Sequence, residues 1–229
     1  MARARITHPQ SVPVAGTDAH LPALPAHRLQ PEGLRQRFAE GRAWAPEFPG
    51  DGGLFEGRTP AAASVLVPLV QREDGLHVLL TRRTDHLHDH AGQISFPGGR
   101  RDEGDADVFA TALRETEEEV GLSRRHIQIL GQLPTYTTVT HYVVTPVVAL
   151  VRPPFELNLD SFEVAEAFEV PLPFLMTPAH HQRHVFEMEG QRRQFLSMPW
   201  RQDGRDYFIW GATAAMLRNL YAYLAAGED

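Results

Sequence analysis

Three glutamates, Glu115, Glu118 and Glu119, stand at i, i+3 and i+4 in a stretch of helical periodicity. Positions so spaced lie within one helical turn, so their carboxylates converge. Adjacent carboxylates repel by roughly 1 kcal/mol at 4 Å in water, and several-fold more near a protein surface. No Lys or Arg follows at the matching spacing to offset them. A hard divalent cation removes the conflict, because Mg²⁺ takes oxygen ligands and keeps waters beside substrate phosphates. Glu115 and Glu119 are the first candidates for ligands, and Glu118 for a third ligand or a base that helps ionise the attacking water. The Gly98-Gly99 turn lets backbone come close to the site and offers a carbonyl as a further ligand. Arg114 is expected to point away from the acidic face and to orient a glutamate or brace the loop. An acidic surface helix after a glycine turn is the plain alternative. It would be preferred for the glutamates alone, and the fixed offsets of glycines, arginine and glutamates argue against it.

The element that carries these carboxylates is expected over Val108 to Val120, with Phe109, Leu113, Thr116 and Val120 as its apolar stripe and the glutamates on the opposite face. Around it the sequence predicts strands at Ser64 to Leu69, Leu76 to Thr81, Ile127 to Leu133, Tyr142 to Val151, Phe168 to Leu172 and Tyr207 to Trp210. Glu73-Asp74-Gly75 reads as a hairpin turn. A final helix, Ala212 to Ala225, places Met216, Leu220 and Leu224 on one face. Strands on both sides of a helix imply an α/β (α+β) architecture, a mixed sheet between helical layers, with the two long helices on different faces. The segment to about Pro25 shows no periodicity and reads as irregular, and Pro31 to Glu40 as a short helix. Residues 1–60 are thus expected to form an extension and 61–229 the catalytic domain.

Composition narrows the classes. The 229 residues are 42% hydrophobic and 22% charged, an ordinary globular mixture, with apolar runs too short to span a bilayer and no secretory signal. A cytoplasmic location is the default expectation. The chain has no cysteine, which excludes disulfides, thiolate metal sites and a cysteine nucleophile. With a formal charge of −7 and arginines in short pairs, among them Arg82-Arg83 and Arg100-Arg101, the sequence suits a small phosphorylated molecule better than a nucleic acid. No membrane partner is expected, and a homodimer is left open.

The string from Gly98 to Leu122 resembles the Nudix box, G-x5-E-x7-R-E-U-x-E-E-x-G-U with U apolar. Arg114, Glu115, Glu118, Glu119, Gly121 and Leu122 match its second half. Thr116 fills the first apolar slot, Gly99 lies one residue further from Arg114 than the pattern has it, and Asp105 stands where the first glutamate is expected. Upstream, Leu79, Leu80, Thr81, Arg83, Gly92, Phe96, Pro97, Gly98 and Gly99 match L-L-T-x-R-[SA]-x3-R-x3-G-x3-F-P-G-G, with Thr84 and His88 as departures. This is similar to the coenzyme A pyrophosphatase branch of the family, which also tends to carry the one-residue box insertion. The resemblance implies a Nudix-type α/β/α sandwich and Mg²⁺-dependent (Mn²⁺ as an alternative) hydrolysis of coenzyme A to adenosine 3′,5′-bisphosphate and 4′-phosphopantetheine. Arg82, Arg83 and His88 are then candidates for phosphate contacts, beside Gly98 and Gly99. Two rivals remain: a Nudix hydrolase of ADP-ribose or another nucleoside diphosphate derivative, and a non-catalytic ligand sensor, which usually lacks a metal glutamate.

Outside the motifs, Glu163 and Glu166 are candidates for a further acidic ligand or base, each weighed against a solvated loop glutamate. His86, His88 and His90 suit polar contacts in a loop, and His180, His181 and His184 read as surface. Phe155, Phe162 and Trp210 are candidates for an adenine pocket, with core packing as the default.

Overall fold

The computed structural model describes residues 6, 8–41, 44–51, 59–86, 92–188 and 190–227. A short strand, β1 (Val14–Thr17), and a helix, α1 (Pro31–Ala39), precede the central sheet. That sheet begins with β2 (Ala61–Arg72) and β3 (Gly75–Arg83), joined by a two-residue turn at Glu73-Asp74. Next come β4 (Ile94–Ser95), β5 (Gly98–Arg100), helix α2 (Val108–Val120), β6 (Ile127–Gln132), β7 (Tyr136–Thr137), β8 (Tyr142–Val151) and β9 (Val164–Pro171). A single turn of helix, α3 (Leu172–Leu175), leads to β10 (Gln182–Met188), β11 (Gln191–Gln202) and β12 (Arg205–Trp210), and helix α4 (Gly211–Ala225) closes the fold.

One feature of the pairing creates the site. β2 and β3 are bonded only near their turn, from Leu69↔Val78 to Arg72↔Gly75. Beyond it they part. β5 then takes the freed edge of β2 at Ala63 to Val65, and β4 takes β3 at Thr81 and Arg82. The other edges are filled by β8, parallel to β2 from Ala61 to Val70, and by β9, antiparallel to β3. The sheet is therefore mixed, and a wedge of chain from Ile94 to Arg100 sits in its split.

Alternation along β2 divides the core. Leu66 and Val70 face α2, packing with Ala112, Val120, Val147 and Val151. Val67 and Leu69 face the other way, towards Leu217, Leu220 and Leu224 of α4. The architecture is an α/β/α sandwich around a mixed sheet, as the sequence implied, with the two long helices on opposite faces. No helix among the described residues is long and apolar enough to cross a membrane.

Two expectations need correction. A second sheet, β1-β10-β11-β12, packs on the α4 side and is entirely antiparallel. Its first member lies in the segment read as irregular: Val14 to Thr17 is exposed throughout, so nothing in its side chains announces a strand, and its order comes from pairing with β10. β9 also starts earlier than Phe168, at Val164.

Candidate active site

Helix α2 is held at both ends by local chemistry. The Asp107 carboxylate accepts from Ala110 N–H at 2.8 Å, an N-cap. At the other end Gly121 is left-handed (φ 68°), where a side chain would be strained. A Cβ there would also lie 2.8 Å from Asn158. The bare glycine thus lets residues 158–163 fold back over the helix end, with Asn158 N–H donating to Val120 O and Asp160 N–H to Glu119 O, both at 2.9 Å. Thr116 is tolerated in an apolar slot because its hydroxyl donates to Ala112 O at 2.7 Å inside the core.

The box glutamates differ in environment. Glu119 is 6% exposed, on the edge of the helix's buried face beside Ala112 and not on the face opposite the apolar stripe as expected. Its Oε2 accepts from Gly98 N–H at 3.0 Å, and Arg83 Nη1 lies 3.7 Å from Oε1. Burial pushes its pKa up to about 7 against the pull of Gly98 and Arg83. Glu115 is raised too, again chiefly by burial and against its bond from Arg114. Its carboxylate packs on Gly99, where any Cβ would overlap it. Glu118 is open, its side chain 59% exposed.

Arg114 turns towards these acids. Its Nη1 donates to Glu115 Oε1 at 3.0 Å and to Glu118 Oε2 at 2.9 Å, while Nη2 donates to Arg100 O at 3.0 Å. Its main partner is one that sequence reasoning missed. Asp105 takes both Nε (3.0 Å) and Nη2 (2.8 Å), and these bonds hold the carboxyl well below the usual carboxylate range. Asp105 also accepts from Asp102 N–H at 2.9 Å. The residue in the slot of the box's first glutamate is therefore a buried anchor for the arginine. Its signal was its place in the pattern; the inserted loop residue obscured it.

Of the remaining candidates, Arg83 and Glu163 reach the cluster, 3.6 Å apart. Arg82 and Glu166 do not. Successive residues of a strand face opposite ways, so Arg82 leaves on the far side of the sheet. It lies 3.6 Å from Glu166, whose Oε1 accepts from Arg205 and Tyr207 at 2.8 Å each. Glu163, just before β9, and Glu166, on it, are three apart, an odd spacing that by itself puts them on opposite faces. His88 lies outside the described residues, as does His90. The surface reading of His181 and His184 is corrected: they are 0% and 2% exposed, bonded to Leu175 O and to Val12 O and Ser197. Phe162, by contrast, is 64% exposed and not core.

Among the described residues, no three Asp, Glu or His side chains are gathered closely enough to hold a metal ion as they stand. Each box carboxylate is instead bonded to an N–H donor from Gly98 or Arg114. The donor set is nonetheless all oxygen, anionic and partly desolvated, and the glycine turn leaves it room against β5, which fits a hard divalent cation. Glu115 and Glu119 would hold it, with Glu118 either a third ligand or the base.

The NUDIX domain family matches residues 58–188, more than half of the chain. The uncharacterized Nudix hydrolase NudL of Escherichia coli O1:K1 / APEC is 42% identical over 160 residues, covering 69% of this chain and 80% of that protein. NudL of Shigella boydii serotype 18 matches to the same extent. Solved structures are more distant. An Ap4A hydrolase binary complex from C. elegans has a TM-score of 0.43 at 22% identity, covering 51% of this chain and 85% of that one. MutT protein from Methanosarcina mazei Go1 has 0.41 at 23%, covering 58% and 84%. The domain match takes in both the glycine turn and the box helix, and the NudL relatives are matched over most of their length: the chain belongs to the Nudix hydrolase family.

Proposed function

We propose that this Nudix hydrolase is a coenzyme A diphosphatase, cleaving coenzyme A to adenosine 3′,5′-bisphosphate and 4′-phosphopantetheine. The coarser statement, hydrolysis of a diphosphate substrate, follows from the family. The finer one is carried by the run from Leu79 to Gly99, whose match to the coenzyme A branch includes Arg83 and Phe96-Pro97-Gly98-Gly99. The structure supports it by placing Arg83 between Glu119 and Glu163, with its guanidinium at the carboxylate cluster.

Hydrolysis adds water oxygen to one phosphorus, breaks the bridging P–O bond and sends a proton to a base. Mg²⁺, or Mn²⁺, would supply charge neutralisation on the phosphates and a lowered pKa for water. The protein's own residues do the rest. Arg83 offers its fork to phosphate oxygens. Glu118, the most exposed box carboxylate, takes the proton where it is not itself a ligand. Arg114, fixed by Asp105, orients Glu115 and Glu118.

A side-by-side turnover assay tests the reading. Coenzyme A should be hydrolysed in preference to ADP-ribose, which lacks the 3′-phosphate; the reverse preference defeats the assignment. Glu119→Gln should lower kcat by about 10²–10³-fold, as expected when one electrostatic contact to the reacting centre is removed, while leaving the circular dichroism spectrum unchanged. Unchanged turnover would remove Glu119 from the site.

A further inference from the structure

Phe162 is one of three large apolar side chains that stand exposed among the described residues, at 64%. Single exposed apolar residues are common, but this one is held firmly. Its N–H donates to Asp160 Oδ1 at 2.9 Å, and its carbonyl accepts from the Thr84 hydroxyl at 2.8 Å. The neighbouring Glu163 carbonyl accepts from Thr84 N–H at 2.9 Å, and Asp160 N–H is bonded to the end of α2. These bonds fix the backbone from which the ring projects, without burying it. Its aromatic neighbour among the described residues is His86, at 4.9 Å between centroids and 59° between planes, so the two rings form a corner.

The location gives that corner a purpose. Phe162 is one residue from Glu163, about 3.8 Å along the backbone, and Glu163 connects through Arg83 to Glu119. An oriented aromatic face beside a site for phosphates is suited to a flat heteroaromatic ring attached to those phosphates. Stacking on such a face is insensitive to the ring's hydrogen-bonding edge, since every base has a π-face.

We propose that Phe162, with His86 as a second wall, is the stacking platform for the nucleobase of the substrate. The platform rests on the diphosphate-hydrolase reading for the position of the phosphates and not on the identity of the acyl or pantetheine end. It makes Phe162 a residue that sets affinity for nucleotide substrates, with the chemical step left to the carboxylates.

Equilibrium binding of ADP and of inorganic pyrophosphate, measured by calorimetry with Mg²⁺ present, separates base from phosphate. Wild type should bind ADP more tightly than pyrophosphate. Phe162→Ala and Phe162→Leu should each weaken ADP binding by about tenfold, the size of one base–aromatic stack, with pyrophosphate binding unchanged. Phe162→Trp should restore ADP affinity, which an apolar filler would not. In turnover of an adenine substrate the first two variants should raise KM and keep kcat. The platform is overturned if wild type gains nothing from the base, if Phe162→Ala keeps full ADP affinity, or if both ligands weaken together. None of these outcomes depends on whether coenzyme A or ADP-ribose is preferred, so failure of the coenzyme A assignment would be seen separately.

Discussion

At the scale of single residues, Glu119 sets the terms on which a cation can enter. Its pKa stands at about 7 because burial disfavours the anion more than Gly98 and Arg83 favour it. A carboxyl raised above its unfolded value of 4.5 destabilises the fold as it ionises, so its contribution falls as the pH rises from there through about 7. A bound cation reverses that preference by taking the proton's place. Apparent Mn²⁺ affinity should therefore climb about tenfold per pH unit below 7 and level off above it, with one proton released. Calorimetric titration between acid and mildly alkaline pH reads this directly. A flat profile in wild type would show that Glu119 does not ligate, and Glu119→Gln should reduce the slope to the part that Glu115, also raised by burial, contributes. The spacing of the glutamates is visible in sequence because a helix converts i, i+3 and i+4 into one patch. The task of Asp105 is not, because the Arg114 contact closes across a loop of irregular length. Nor is the choice of Glu163 over Glu166, which depends on the pairing of β9 with β3 and on Arg83, not Arg82, turning to the cluster.

Elements position these residues through backbone more than through side chains. The split between β2 and β3 admits β4 and β5, and the latter presents Gly98 N–H to Glu119. Residues 158–163 close the other side by bonding to the last turn of α2, which Gly121 permits. Gly121→Ala should cost about 1–2 kcal/mol for a left-handed alanine, and more for its overlap with Asn158. The loop bearing Phe162 and Glu163 should shift, so KM for an adenine substrate should rise. Gly104→Ala, where an added Cβ meets nothing within 4 Å, is the matched control and should be near neutral in urea unfolding. Equal stability of the two variants would remove the argument. The helix and the longer strands of the central sheet were readable from their apolar patterns; the short β4, β5 and β7, two or three residues each, carry no such pattern. Of the second sheet only β12 was readable, as Tyr207 to Trp210. β11 buries only Leu196 to Met198 within a polar run of Gln and Arg, so its strand character comes from pairing with β10 and β12.

At the scale of the whole molecule, the N-terminal residues are tied to the far end of the chain by buried charge. Asp18, 0% exposed, receives Arg183 Nε at 2.5 Å and lies 3.4 Å from Arg218 Nε in α4. Glu47 pairs with the same two arginines, at 2.8 and 2.5 Å. Asn219 adds two bonds to the backbone of Phe48, at 3.0 and 2.7 Å. Arg218 is 4% exposed, with Nη1 lacking a hydrogen-bond partner among the described residues, so it depends on the carboxylates around it. Removing one member of a buried ion cluster leaves the others desolvated and uncompensated, at about 3–5 kcal/mol. Asp18→Asn should therefore lower the urea midpoint sharply while leaving kcat near wild type where the protein is folded, because the cluster lies across the sheet from α2. Asp18→Asn combined with Arg218→Met should recover part of the loss, since the stranded charge is gone; a double-mutant cycle measures the coupling. Strict additivity of the two losses would mean that Asp18 and Arg218 are not coupled, leaving the N-terminal segment to its other ties, among them Glu47 and the Asn219 bonds to Phe48.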